Sequence, residues 1–167
     1  RKDVEEASHK EKQDALDTQV KKTEEEFDKV KKFMQDKNRL QDGKKCFAFV
    51  MSNNALFIIA KSHFASTAEK SAKVETFMNT CRRAYNDGKA QNKVTFAWEA
   101  CNKQFEKKKE KYGMLNPDKN LSFAGHLKVT FKSTLRQLSA KRAAILKEKE
   151  KNRLAFMKFL ADFIDDK

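Results

Sequence analysis

Residues that form tight turns are almost missing from this chain, because its 167 residues include only four glycines and one proline. Average proteins contain about 7 % glycine and about 5 % proline, so this composition excludes folds with many turns, such as barrels and sandwiches. No apolar run reaches the roughly 18 residues that a membrane-spanning helix needs. The chain is therefore expected to form a few long helices that do not cross a membrane.

The first helix is predicted from apolar residues that recur at alternating gaps of four and three, the spacing of a helix packed lengthwise on another helix. This spacing predicts one helix over residues 4–42. A single glycine costs a helix only about 1 kcal/mol, so the helix is expected to continue through Gly43 to about residue 63. The residues that carry the spacing are Leu16, Val20, Thr23, Phe27, Val30 and Met34.

The second helix is predicted to begin at Ser66, which with Glu69 forms a capping-box pattern, and to end at Tyr112. Gly113 supplies the expected C-terminal cap, and Asn116-Pro117-Asp118 follows as a helix breaker. The apolar spacing slips around Gly88. A kink in one long helix is the favoured interpretation, and a true turn is the alternative.

A third helix is predicted from about residue 121 to the end of the sequence. The expected fold is all-α: an elongated antiparallel three-helix coiled coil, with four helices if Gly88 lies in a turn. Residues 1–167 are expected to form one helical domain that belongs to a larger protein.

No enzyme site is predicted. His9, His63 and His126 are far apart in the sequence, and no glycine-rich phosphate loop is present. The three cysteines are an odd number without a CxxC pair, which favours buried apolar positions in a reducing compartment over disulfides or a zinc site. We expect no catalytic residue, no metal and no cofactor. The cysteines are Cys46, Cys81 and Cys101.

Positive charge is concentrated after the first 30 residues. Those 30 residues contain 7 basic and 10 acidic side chains, whereas the whole chain has 37 and 24. Like charges at neighbouring helical positions repel each other, so an anionic partner is expected. The basic run of residues 107–111 precedes Tyr112, Met114 and Leu115, which is typical of a loop that contacts anionic lipid headgroups. Nucleic acid is disfavoured, since no stacking aromatic motif or helix-turn-helix spacing is present.

Several short motifs make residues 80–165 resemble a BAR domain, most closely the sorting-nexin type. They are Trp98-Glu99-Ala100, Gln104-Phe105-Glu106-Lys107-Lys108-Lys109, Asn116-Pro117-Asp118-Lys119, Lys147-Glu148-Lys149-Glu150-Lys151 and Phe156-Met157-Lys158-Phe159-Leu160. The chain is shorter than a usual BAR domain, and before residue 70 only the architecture is similar.

The resemblance implies a cytoplasmic, peripheral membrane scaffold, endosomal if it is of the sorting-nexin type, that dimerises and senses or stabilises membrane curvature. Its expected partners are anionic membrane lipids and a second copy of the chain. The residues expected to bind membrane are Lys107, Lys108, Lys109, Lys111, Tyr112, Met114, Leu115, Lys119, Lys141, Arg142, Lys147, Lys149, Lys151 and Arg153. The residues expected at the dimer interface are Phe47, Phe49, Val50, Phe57, Ile58, Phe156, Phe159 and Phe163.

A second hypothesis stays open. The apolar block of residues 46–64 could instead close a bundle within one chain. The protein would then be a monomeric helical-bundle interaction module or surface receptor domain without membrane-bending activity.

Overall fold

A computed structural model describes residues 2–65, 71–114 and 121–165, and every regular element in these ranges is an α-helix. The all-α class is therefore confirmed. The helices are α1 (Lys2–Gln35), α2 (Lys37–Gln41), α3 (Gly43–Ser52), α4 (Asn54–Phe64), α5 (Ser71–Ala90), α6 (Val94–Lys108) and α7 (Phe123–Asp165). The predicted capping box at Ser66 and Glu69 and the breaker at residues 116–118 lie outside the described residues.

The prediction of one continuous helix over residues 4–42 and onward to 63 is wrong, because three side-chain caps divide it. Asp36 Oδ1 accepts hydrogen bonds from the backbone nitrogens of Asn38 and Arg39 at 3.1 and 3.2 Å. Asp42 accepts from Lys45 N at 3.2 Å, and Asn53 accepts from Leu56 N at 3.2 Å. Each cap satisfies backbone donors that a continuous helix would satisfy with carbonyls, so α2, α3 and α4 each begin anew.

The connection between α5 and α6 is a turn, so the favoured prediction of a kink is wrong and the alternative of a turn is right, except that Gly88 itself lies within α5. The turn spans residues 91–93, where Asn92 adopts a positive φ of 55° and Lys93 N donates to Gly88 O at 2.6 Å. A Cβ on Gly88 would lie 2.9 Å from Lys93 O. Glycine at this position therefore allows the chain to fold back on itself, and α5 and α6 form an antiparallel hairpin.

Contacts divide the described chain into two units. Unit 2, residues 30–134, contains an aromatic core around Phe123 at the start of α7. The Phe123 ring stacks on Trp98 and on Phe105 with centroid distances of 5.6 and 5.1 Å, and Phe64 meets it edge-on at 5.7 Å. Fully buried aromatic rings of this kind contribute about 3–5 kcal/mol each, so Phe123 holds the helices of unit 2 together.

Unit 1, residues 2–29 and 135–165 of the described chain, is an antiparallel pair of helix segments from α1 and α7. Leu16 and Thr23 lie on the buried side of α1, as the heptad spacing indicates, and Leu138 and Ile145 lie on the buried side of α7. Ion pairs connect the segments: Lys12 with Glu148 at 3.5 Å, Asp17 with Lys149, and Glu24 with Arg142 at 2.7 Å. The acidic α1 is thus matched to the basic α7.

Candidate functional site

No helix among the described residues is long and apolar enough to cross a membrane. The described ranges also contain no group of histidine, cysteine and acidic side chains that could hold a metal ion. The candidate sites are therefore surfaces, and their chemistry depends on which cations and apolar groups remain accessible after the chain has folded.

The predicted membrane-binding residues fall into two sets that belong to different units. The first set follows α6 in unit 2. Lys107 and Lys111 are exposed, and neither forms an ion pair with a described residue. Lys109 is occupied within the chain, because its Nζ lies 2.8 Å from Glu106 Oε2 and 6.0 Å from the centre of the Phe105 ring. Leu115 and Lys119 lie outside the described residues.

Met114 was predicted to reach into the membrane, and the structure contradicts this. The backbone turn after α6 places Gly113 at a positive φ of 66°, and Met114 N donates to Lys109 O at 2.7 Å. This turn directs the chain inward, and the Met114 side chain is 1 % exposed. Met114 therefore belongs to the core of unit 2, and Tyr112, which is half-buried, is the remaining apolar group of this set among the described residues.

The second set lies on α7 in unit 1, and half of its cations are already paired. Arg142 binds Glu24, and Lys149 binds Asp17. Arg153 makes two hydrogen bonds to Glu150 at 2.6 and 3.1 Å, which lower the pKa of the Glu150 carboxyl. Lys141, Lys147 and Lys151 are exposed and form no ion pair with a described residue. Charge counted from the sequence therefore overstates the charge that α7 can offer to a ligand.

An apolar strip on the solvent side of α7 was not predicted from the sequence. Leu154, Met157 and Ile164 are 53, 54 and 68 % exposed, and Leu146 is 37 % exposed. Spacings of eight, three and seven residues place these four side chains on one face of the helix. Ile145 and Asn152, which are buried against α1, occupy another face. This segment of α7 therefore has two faces with apolar groups, and only one of them is covered within unit 1.

Three lysines run beside this apolar strip. Lys151 precedes Leu154 by three residues and Lys158 follows it by four, so both are its neighbours on the helix surface, and Lys147 lies one turn before Lys151. All three are exposed. We call this face the α7 outer surface: Leu146, Leu154, Met157, Ile164, Lys147, Lys151 and Lys158. Lys141, at another angle around the helix, does not belong to it.

A helix face that combines lysines with large apolar side chains can lie in the plane of an anionic bilayer. The apolar groups enter the boundary between headgroups and acyl chains, and the lysines bind phosphates. The signal was available in the sequence, because the exposed apolar positions repeat at helical spacing.

The residues predicted for a dimer interface are distributed between core and surface. Phe47, Val50 and Phe57 are at most 1 % exposed within the single chain. A second copy could not contact their side chains, so they are not part of a dimer interface. Phe49 is half-buried and packs on Phe33, with ring centres 4.2 Å apart. Ile58 is exposed. The last three, Phe156, Phe159 and Phe163 in unit 1, are half-buried.

Comparison of the chain with family models, with curated proteins and with solved structures gave no match. Function must therefore be inferred from the surfaces just described.

Proposed function

We propose that this chain is a peripheral membrane-binding protein and that the α7 outer surface is its lipid contact. The observation that carries the proposal is the strip of exposed Leu154, Met157 and Ile164 beside Lys147, Lys151 and Lys158, which form no ion pair with a described residue. The exposed apolar groups are unfavourable in water, and neighbouring lysines such as Lys147 and Lys151 repel each other slightly, so an anionic, partly apolar partner would stabilise this surface.

The two kinds of group contribute comparable free energies at a membrane. Each lysine near an anionic surface contributes about 1 kcal/mol. Covering a side chain that is about half exposed contributes about 1 kcal/mol more. The lysines or the apolar residues alone supply only part of this binding free energy. Stable adsorption to the membrane should therefore need both.

Sedimentation with liposomes that contain phosphatidylserine tests the proposal. The triple variant Lys147→Glu, Lys151→Glu, Lys158→Glu should lose binding, and so should Leu154→Gln, Met157→Gln. The matched control reverses three exposed lysines of α1 in the same unit: Lys10→Glu, Lys21→Glu, Lys22→Glu. It makes the same change in net charge and should retain most of the binding. Equal loss in both triple variants would refute the assigned surface.

The proposal also includes the BAR-like coiled coil, dimerisation and the sensing of membrane curvature. Because α1–α4 and the α5–α6 hairpin stand in place of the first two predicted helices, we retain from the BAR-like coiled coil its antiparallel helix packing and not a count of three or four helices. We also propose that two copies associate and that the dimer senses curvature. The accessible residues for such contacts are Ile58 and Phe49 in unit 2 and Phe156, Phe159 and Phe163 in unit 1. Sedimentation velocity should detect the dimer.

A second candidate is a monomeric helical-bundle interaction module. The observation that favours it is the aromatic core of unit 2, which buries Phe47, Phe57 and Phe123 without a second chain. A species of 19.4 kDa that does not sediment with anionic liposomes supports this candidate, and a liposome-bound species supports the first.

A further inference from the structure

A groove runs between α5 and α6 in unit 2, with a cavity of about 640 Å³. Ligand pockets in proteins commonly have volumes of about 300–1,000 Å³. Small side chains keep the groove open: Thr76, Thr80 and Ala84 recur every four residues along α5, and Ala100 lies on α6. These four residues all face the groove.

The inner part of the groove is apolar. Phe77, Cys81 and Cys101 line it, and all three are buried. Interaction with the Cys101 thiol, together with burial, raises the pKa of the Cys81 thiol, and the same interaction lowers the pKa of the Cys101 thiol. Because the inner lining consists of buried Phe77, Cys81 and Cys101, the middle of the groove suits an alkyl chain.

Charge is found at one end only. Lys73 on α5 and Lys108 on α6 both line the groove, and each Nζ lies 5.5 Å from the centre of the Tyr112 ring. Neither lysine forms an ion pair with a described residue, and none of the described aspartates and glutamates lines the groove. Two ammonium groups near one ring, neither paired with a carboxylate of the described residues, favour an anion at this end of the groove.

We propose that this groove binds a single-chain anionic amphiphile, namely a free fatty acid. Its carboxylate lies between Lys73 and Lys108, and its alkyl chain follows α5 toward Ala84. Lys73 and Ala84 are separated by roughly 16 Å along the helix axis. An extended alkyl chain advances about 1.25 Å per carbon, so a medium-length chain spans that distance. The groove shares no residue with the α7 outer surface, and the inference does not depend on membrane binding.

Calorimetric titration of the full chain with laurate, below its micelle concentration, tests the proposal. We expect one site. Lys73→Gln, Lys108→Gln should weaken binding by about tenfold or more, because charged hydrogen bonds to the carboxylate are lost. The control, Lys103→Gln, Lys107→Gln, removes two exposed lysines of α6 that do not line the groove, and it should bind laurate as the wild type does.

Two further measurements locate the alkyl chain and test the charge. Thr80→Phe places a ring in the groove from an exposed helix position and should abolish binding, and Ala84→Phe should do the same deeper in the groove. Circular dichroism confirms that each variant is folded. Dodecyltrimethylammonium has a chain of similar length and the opposite charge, so it should not bind. Absence of laurate binding, equal binding of the cationic amphiphile, or full binding by folded Thr80→Phe would each overturn the proposal.

Discussion

Gly43 lies so close to the indole of Trp98 that a Cβ added to the glycine would be 2.6 Å from Trp98 Cζ2. Replacing glycine by alanine inside a helix normally stabilises it by up to about 1 kcal/mol. Here the added methyl group must displace a ring that stacks in the aromatic core of unit 2. The first residue of α3 is thus glycine because of packing and not because of backbone flexibility.

Gly43→Ala is expected to lower the free energy of unfolding by about 1–3 kcal/mol, as overpacked core sites usually do. Urea unfolding followed by circular dichroism measures the change. In the double variant Gly43→Ala, Trp98→Leu the clash is removed. Its loss in the free energy of unfolding should therefore be smaller than the sum of the losses in the two single variants. Strict additivity would contradict the contact as the cause.

His126 should make the stability of the protein depend on pH. It is buried between Phe64 and Phe105, and its Nε2 has no hydrogen-bond partner among the described residues. Burial, with the Lys109 charge second, lowers its pKa below 6.5. The unfolded chain therefore binds a proton at a higher pH than the folded chain. Stability is fully present above about pH 6.5 and decreases as the pH falls toward the lower folded pKa.

Urea midpoints at about pH 7.5 and about pH 5.5 measure this effect. The variant His126→Leu should have a smaller difference between the two midpoints than the wild type. His63 is exposed, so His63→Leu is the matched control and should keep the wild-type difference. An unchanged difference in His126→Leu would rule out His126 as the source.

Asn152 should fix the pairing of the two helix segments in unit 1. Its Nδ2 donates to His9 O at 3.0 Å and to Gln13 Oε1 at 2.9 Å, although the residue is 4 % exposed. Asn152→Ala leaves the His9 carbonyl without this donor and should cost about 1–3 kcal/mol. Hydrogen exchange of the α1 amides near His9 should accelerate, whereas amides of unit 2 should not change.

Cys81 and Cys101 should form a disulfide when the protein is oxidised, since both line the α5–α6 groove and their interaction lowers the pKa of the Cys101 thiol, which favours its thiolate. With diamide, each thiol gives up one hydrogen, and diamide accepts both. The bond closes a short loop and should raise stability by about 3 kcal/mol. Peptide mapping should find this pair alone, because Cys46 is buried on α3, does not line the α5–α6 groove, and has its pKa raised to about 11. A mapped bond to Cys46 would contradict the geometry.

The all-α class could be predicted from the sequence because few residues favour turns and apolar residues recur at helical spacing. The helix ends could not. Asp36, Asp42 and Asn53 are good capping residues, but the same residue types also occur within helices, and only the backbone nitrogens that they bind distinguish the two cases. The turn after α5 was equally hidden, because Asn92 adopts a positive φ without being glycine.

The candidate surface on α7 was predicted only in part. Its cations are visible in the sequence, but their pairing depends on contacts such as Arg142 with Glu24, which are 118 residues apart. No pattern within α7 shows which lysines remain unpaired. The two sides of the α5–α6 groove were likewise unpredictable while residues 71–108 were interpreted as one helix, since a continuous helix would carry Cys81 and Cys101 far apart.

Unit 1 is built from the first and last helical segments of the described chain, so His9 and Asn152 meet across 143 residues. A ribosome makes about 5–20 residues each second, and domains tend to fold in the order of synthesis. While the residues between the two segments of unit 1 are being synthesised, residues 2–29 have left the ribosome and their partner segment has not yet been translated. The apolar side of α1 is then open to chaperones, and unit 2, whose residues are all made earlier than residue 135, can fold first.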